Sequence, residues 1–279
     1  MLISVHHVTR YKYDEEARYS IQTLRVTPQS FGGHDVKDWT VSAPGIERAV
    51  PFRDSFGNIV HQTTILDPHD EIVVEVNGTV ETADRAGVVV GTLELSPPRV
   101  YLRETALTKP DDAIREIAAA ALSDGGNILG RLHTLMHHIA DKVAYEPGNT
   151  HSETTAAEAL AKGSGVCQDH AHIMIACTRA MGQPSRYVHG FLVGEATGGH
   201  GWAEVFVDGL GWVGFDPTNR ICPVDTYVRV AVGLDADAAP PIKGTRRGGG
   251  EETLEVSVSA APQAGQSQSS GAGTQSQSQ

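Results

Sequence analysis

The hydrophobic period of this chain changes near Pro110, and that change limits what it can fold into. Before it, short alternating runs rich in Val, Ile, Thr and Tyr are broken by turn dipeptides, the pattern of strands buried on one face. His6–Tyr13, Thr23–Thr27, Asp38–Ser42, Asn58–Leu66 and Glu71–Glu81 are the candidate strands. Asn77-Gly78, inside the last of them, is the strongest two-residue hairpin signal, so a turn is predicted there. Residues 1–105 therefore read as an N-terminal antiparallel β-sandwich.

After Pro110 the apolar residues recur at helical spacing. Asp111-Asp112 caps a helix predicted over 113–122, and a second helix over 128–143 carries Leu129, Leu132, Leu135, Met136 and Ile139 on one stripe. Thr154 or Thr155 caps a third, through Leu160, and Gly163-Ser164-Gly165 then breaks the pattern before Cys167. Helical periodicity returns over Gln168–Met181 and stops at Gly182 and Pro184. Strands are predicted at Arg186–Val193, Trp202–Val207 and Trp212–Phe215, a loop over 235–250, and a last strand at Leu254–Ser259. The class is α+β: a β domain over 1–105, a mixed core over 106–262, and a disordered Gly/Ser/Gln tail over 263–279.

Charge narrows the partners. With 22 Lys and Arg against 34 Asp and Glu, the formal charge is −12, which disfavours a nucleic-acid backbone or an anionic membrane, both of which need a basic patch. No basic segment followed by an apolar one opens the chain and no apolar run reaches membrane-spanning length, so a cytoplasmic location is expected. The three cysteines, Cys167, Cys177 and Cys222, are too few and too scattered for a disulfide framework and read as reduced thiols.

Cys167 follows a glycine-rich break and opens a helix, where the helix dipole and unpaired N–H groups stabilise a thiolate and can hold an oxyanion. His200 starts the run His200–Val205 between glycines at 199 and 201, and Asp216 ends the next predicted strand just before Pro217. Antiparallel pairing of those two strands would set the carboxylate beside the imidazole, the arrangement that fixes a catalytic histidine's tautomer. Cys177 and Cys222 read as structural, and Trp202 and Trp212 as core. Glu204 is expected on the face opposite Trp202 or in solvent. Tyr145 and Gln168 each carry a donor that an oxyanion hole could use. Cys167 with His170 and His172, or with His200, is the alternative metal set; no Cys-x-x-Cys pair or His-Glu-x-x-His run accompanies it, so neither metal nor cofactor is expected.

Four blocks, Gly165-Val166-Cys167-Gln168-Asp169, Arg179 to Val188, His200-Gly201-Trp202-Ala203-Glu204-Val205 and Gly211 to Asn219, together resemble the transglutaminase-like superfamily. Asp54-Ser55-Phe56-Gly57-Asn58 is similar to a turn in the N-terminal β domain of its bacterial branch. The resemblance implies a papain-like α+β core, a triad at Cys167, His200 and Asp216, and a peptide or protein amide as substrate. Where the family more often has alanine after the histidine, this chain has Gly201, an exchange expected to loosen the strand while removing no catalytic group.

Overall fold

In this computed structural model residues 1–123, 125–194 and 199–263 are described. The first layer is one antiparallel sheet built around a single long strand, β1 (Leu2–Thr27), joined by β2 (His34–Ser42), β3 (Phe52–Arg53), β4 (Ile59–Ile65) and β5 (His69–Thr82) in the order β2-β5-β1-β4-β3. The first half of β1 pairs with β5 and its second half with β4, and the register of β1 on β5 shifts between Lys12 and Ala17. Leu24 and Val26 from the second half of β1 share one core with Tyr13 from its first half and with Val74 and Val76 of β5. Trp39 of β2 closes it by donating Nε1–H to the Val26 carbonyl at 2.9 Å.

β5 runs straight through Asn77-Gly78, where a turn was expected. The reason lies across the sheet. A Cβ at Gly78 would fall 2.2 Å from the Trp39 ring, so the glycine clears space for tryptophan packing, and the Asn77 side chain meets His6 Nδ1 at 2.7 Å. The signal marked a close approach, the other use of glycine in a strand.

The short β6 (Val88–Val89) leads into a mixed layer of four helices, α1 (Asp112–Ser123), α2 (Ile128–Lys142), α3 (Ala156–Lys162) and α4 (Cys167–Ala180), with the paired segments β7 (Ala144–Tyr145) and β8 (Ser164–Gly165) between them. Strands β9 (Ser185–Leu192), β10 (His200–Val207), β11 (Gly211–Phe215) and β12 (Tyr227–Gly233) then form the antiparallel sheet β12-β9-β10-β11-β6. β12 was not foreseen: Tyr227-Val228-Arg229-Val230-Ala231-Val232 is buried on both faces and shows no alternation. The helix boundaries follow the caps. Asp111 Oδ1 accepts from Ile114 N–H at 2.9 Å, and Thr155 and Glu158 form a reciprocal capping box. α4 is buried from Asp169 to Arg179, as befits a helix enclosed by α1, α2, α3 and β10.

The chain then returns to the first sheet. β13 (Ile242–Gly248) forms where a loop was expected, and β14 (Glu252–Pro262) extends the expected last strand; both pair with the free side of β1. The β layer thus takes strands from both ends of the chain. Of the expected tail, Gln263 donates N–H to the Leu2 carbonyl at 2.8 Å, and residues 264–279 lie outside the described residues.

The Asp54–Asn58 turn docks one layer on the other. Asp54 accepts from the Phe56 and Asn58 amides and from Arg25 Nε, while Asn58 exchanges two hydrogen bonds with the Val232 backbone of β12, at 2.7 and 2.8 Å. Phe56 enters the small core of Val188, Trp202, Tyr227 and Val232 behind the second sheet.

Glu204, expected away from Trp202 or in solvent, is 1% exposed and shares a cavity wall with Trp202. Residues two apart on a strand share a face. Its carboxylate accepts from Arg186 Nε at 2.7 Å and from Arg229 Nε at 2.7 Å, and the Arg186 guanidinium lies 3.9 Å from the Trp212 ring centroid. Burial would raise this carboxyl, but the two arginines outweigh it and hold it down at about 2. Because the folded value lies below the ordinary 4.5, the contribution is present above that pH and is lost as pH falls toward 2. Glu204→Gln is expected to destabilise by about 3 kcal/mol near neutral pH by leaving buried guanidinium charge uncompensated, and to flatten the acid limb of a urea-midpoint profile; an unchanged midpoint at neutral pH would contradict this.

Candidate active site

Cys167 is the first residue of α4, and its approach is fixed by the side chain two residues on. Asp169 Oδ2 accepts from Val166 N–H at 2.8 Å and from Thr150 Oγ1–H at 2.6 Å, satisfying an amide that the start of a helix leaves open. A Cβ at Gly165 would lie 2.6 Å from that same carboxylate oxygen, so the break before Cys167 has to be glycine there. β8 is further tied to β7 through Glu146 N–H to the Gly165 carbonyl at 2.8 Å.

His200 and Asp216 meet as the predicted strand pairing requires. β10 and β11 are antiparallel with Ala203 opposite Phe215, which brings the next residue, Asp216, toward the start of β10. His200 Nε2 and Asp216 Oδ2 are 2.7 Å apart, with side chains 1% and 0% exposed. The same carboxylate oxygen accepts from Tyr227 Oη–H at 2.7 Å and Asn219 Nδ2–H at 2.8 Å. Burial pushes the Asp216 carboxyl up; the hydrogen bonds from His200, Asn219 and Tyr227 overcome that and hold it below the ordinary carboxylate value. Trp202 stacks beside His200 at 6.1 Å between centroids and Tyr227 meets its edge at 5.8 Å, walling the pair from water.

Cys167 and His200 line one cleft of about 900 Å³, with Gln168, Tyr187, His189 and Asp235 among its walls. The other histidines of the metal alternative are engaged elsewhere. His170 bonds Thr218 Oγ1 at 2.8 Å through Nδ1 and the Val143 carbonyl at 2.9 Å through Nε2, and His172 Nε2 accepts from Ala236 N–H at 3.1 Å. The His170–Thr218 bond ties α4 to the loop just past Asp216. Gln168 donates to the Ser152 carbonyl at 3.1 Å, and the Tyr145 ring lies 6.5 Å from that of His170. Cys177 is fully buried and Cys222 half-buried.

Four contributors were missed from the sequence: Asn219 and Tyr227, which hold the carboxylate, and Tyr187 and His189, which face the cleft. Asn219 stands within the Asp216-Pro217-Thr218-Asn219 run, at the spacing where an aspartate caps a following amide; its backbone N–H meets Asp216 Oδ1 at 3.3 Å. β10 is not loosened at Gly201, which pairs in register with His189 of β9.

Helices packed on an antiparallel sheet, with a cysteine opening the central buried helix and a histidine–carboxylate pair on adjacent strands, define the papain-like α+β class. The chain belongs to the transglutaminase-like superfamily: residues 115–217 match the Transglutaminase-like superfamily core and residues 3–81 the Bacterial transglutaminase-like N-terminal region. An uncharacterized protein of Mycobacterium leprae is 29% identical over 278 residues, covering 91% of this chain and 96% of the relative. A Mycobacterium tuberculosis protein, also uncharacterized, is 28% identical over 298 residues, covering 92% of each. Among solved structures, a candidate cysteine protease from Cytophaga hutchinsonii superposes with a TM-score of 0.75 at 22% identity, over 94% of this chain and 90% of that one.

Asp169→Ala is expected to lower stability by about 1–2 kcal/mol through loss of the helix cap, read as a shift in the urea midpoint, with Asp169→Asn recovering part of it. Equal midpoints for wild type and alanine variant would show that the cap does not hold the helix start.

Proposed function

We propose that this protein is a cysteine-nucleophile acyl-transfer enzyme acting on amide bonds of peptides or proteins, with Cys167 as nucleophile, His200 as base and Asp216 as the group that orients the histidine. The observation that carries the reading is the buried His200–Asp216 pair, 2.7 Å apart, opening on the cleft that Cys167 lines from a helix N-terminus. With Nε2 bound to Asp216, Nδ1 is the ring nitrogen that takes the thiol proton. The sulfur attacks the amide carbon, the leaving amine receives the proton from His200, and a thioester remains.

Water resolves that thioester in our reading, making the enzyme a peptidase or amidase, because water is always available and needs no site of its own; a primary amine in its place would make it a cross-linking transglutaminase. The cysteine-protease description of the Cytophaga hutchinsonii neighbour supports the hydrolytic branch. No helix of the described residues is long and apolar enough to cross a membrane. Three free thiols, one of them the nucleophile, suit a reducing compartment, and we place the enzyme in the cytoplasm.

At neutral pH iodoacetamide is expected to label Cys167 well before the other two thiols, since burial pushes Cys177 up to about 12 and Cys222 up to about 11. His200→Ala is expected to slow the labelling of Cys167 without changing that of Cys177 or Cys222. Cys167→Ala abolishes release of amine from peptide amides, and Asp216→Asn, which reverses the donor and acceptor sense at His200 Nε2, lowers kcat by about 10⁴-fold. Full turnover by Cys167→Ala would overturn the assignment, and products formed with and without added primary amine distinguish hydrolysis from transfer.

A further inference from the structure

The cleft contains a phenol that neither the histidine–carboxylate pair nor the helix cap uses. Tyr187 lies on β9 opposite Ala203 of β10, is 5% exposed, and shares the cleft with Cys167 and His200. Its Oη fills the room that a side chain after His200 would need: a Cβ at Gly201 would fall 2.2 Å from it. The family's more frequent alanine cannot stand there with the ring in this position, so the glycine and the placement of the phenol go together.

The hydroxyl is a permanent donor. Burial first, then the charges of Cys167, Asp169 and Asp235, raise its pKa well above the ordinary value, so the proton stays on at any pH where the cleft works. None of the hydrogen bonds among the described residues engages Oη. The Gln168 amide, by contrast, is committed to Ser152, and Tyr145 is not among the residues of the cleft wall.

We propose that Tyr187 Oη–H is the side-chain half of the oxyanion hole at Cys167, an inference that rests on the acyl-transfer reading above. When Sγ bonds the carbonyl carbon, the C=O π pair moves onto oxygen, which then accepts from Tyr187 Oη–H and from the backbone N–H that opens α4. Collapse re-forms the carbonyl and breaks the bond to the leaving group; an amine departs with the proton carried by His200, and an activated phenolate departs without one. Donors aimed at the oxygen only as it gains charge lower the barrier without tightening substrate binding.

The test uses p-nitrophenyl acetate as acyl donor and iodoacetamide as control, because alkylation at sulfur passes through no oxyanion. Tyr187→Phe is expected to slow the p-nitrophenolate burst by about 10²-fold, with KM and the alkylation rate of Cys167 unchanged. Gly201→Ala, which forces the ring out, should reproduce the loss, and the double variant should be no slower than either alone. A burst in Tyr187→Phe as fast as wild type overturns the proposal, as does a burst and alkylation slowed in equal proportion, the mark of a disturbed thiol. If wild type gives no burst while iodoacetamide still labels Cys167, the acyl-transfer reading itself fails and takes this proposal with it.

Discussion

The buried ion cluster of Arg186, Glu204 and Arg229 sets the register on which the site depends. Glu204 stands directly opposite Arg186 in the β9–β10 ladder, and Arg229 reaches the same carboxylate from β12. Three adjacent strands are therefore tied together through one carboxylate. A one-residue slip of β10 would turn every side chain to the other face, strand the Glu204 carboxylate and Arg229, and leave Arg186 with Glu94 alone, a loss of several kcal/mol. His200 lies four residues before Glu204 on the same strand, and Asp216 follows the strand paired on its other edge. The cluster thus specifies where the imidazole and its carboxylate meet, from a position that touches neither.

The β layer contributes to the same rigidity. Asn58 binds the β12 backbone on both its donor and acceptor sides, and Phe56 packs with Trp202 and Tyr227, the two rings that wall His200. Tyr227 also donates to Asp216, so a single turn of the first layer supports a ring that packs against His200 and hydrogen-bonds its carboxylate partner. The long strand β1 makes this possible by carrying strands from both ends of the chain on its two edges.

How much of this the sequence disclosed follows from how local each signal is. Cys167, His200 and Asp216 could be singled out as candidates because each sits at an element boundary marked by Gly or Pro, and boundary chemistry is written in neighbouring residues. The first and third helices were readable for the same reason, their caps being Asp111 and Thr155, and the second by its apolar stripe. What failed was everything decided across strands. Gly78 looked like a turn because its reason, the Trp39 ring, lies on another strand; β12 lacked alternation because both of its faces are covered; β13 was polar and exposed, identifiable only by its partner β1. Glu204 and Tyr187 belong to this group, each explained by a side chain or backbone distant in sequence.

The abundance of histidine, 13 in the chain, has an electrostatic explanation once burial is known. Burial lowers His170, takes His7 and His172 to about 4 and takes His189 to about 3, where the neighbouring His7 and His200 push further in the same direction. These rings are neutral at neutral pH, and His170 keeps its two hydrogen bonds in that form. Their neutrality matters at one place. In the proposed mechanism an imidazolium at His200 is then opposed by no cationic ring on β9, while three side-chain donors favour the ionised form of Asp216 beside it. A charged His189, opposite Gly201 in the ladder and in the wall of the same cleft, would disfavour a second cation at His200. Burial thus keeps His189, the ring on the strand next to His200, neutral at neutral pH.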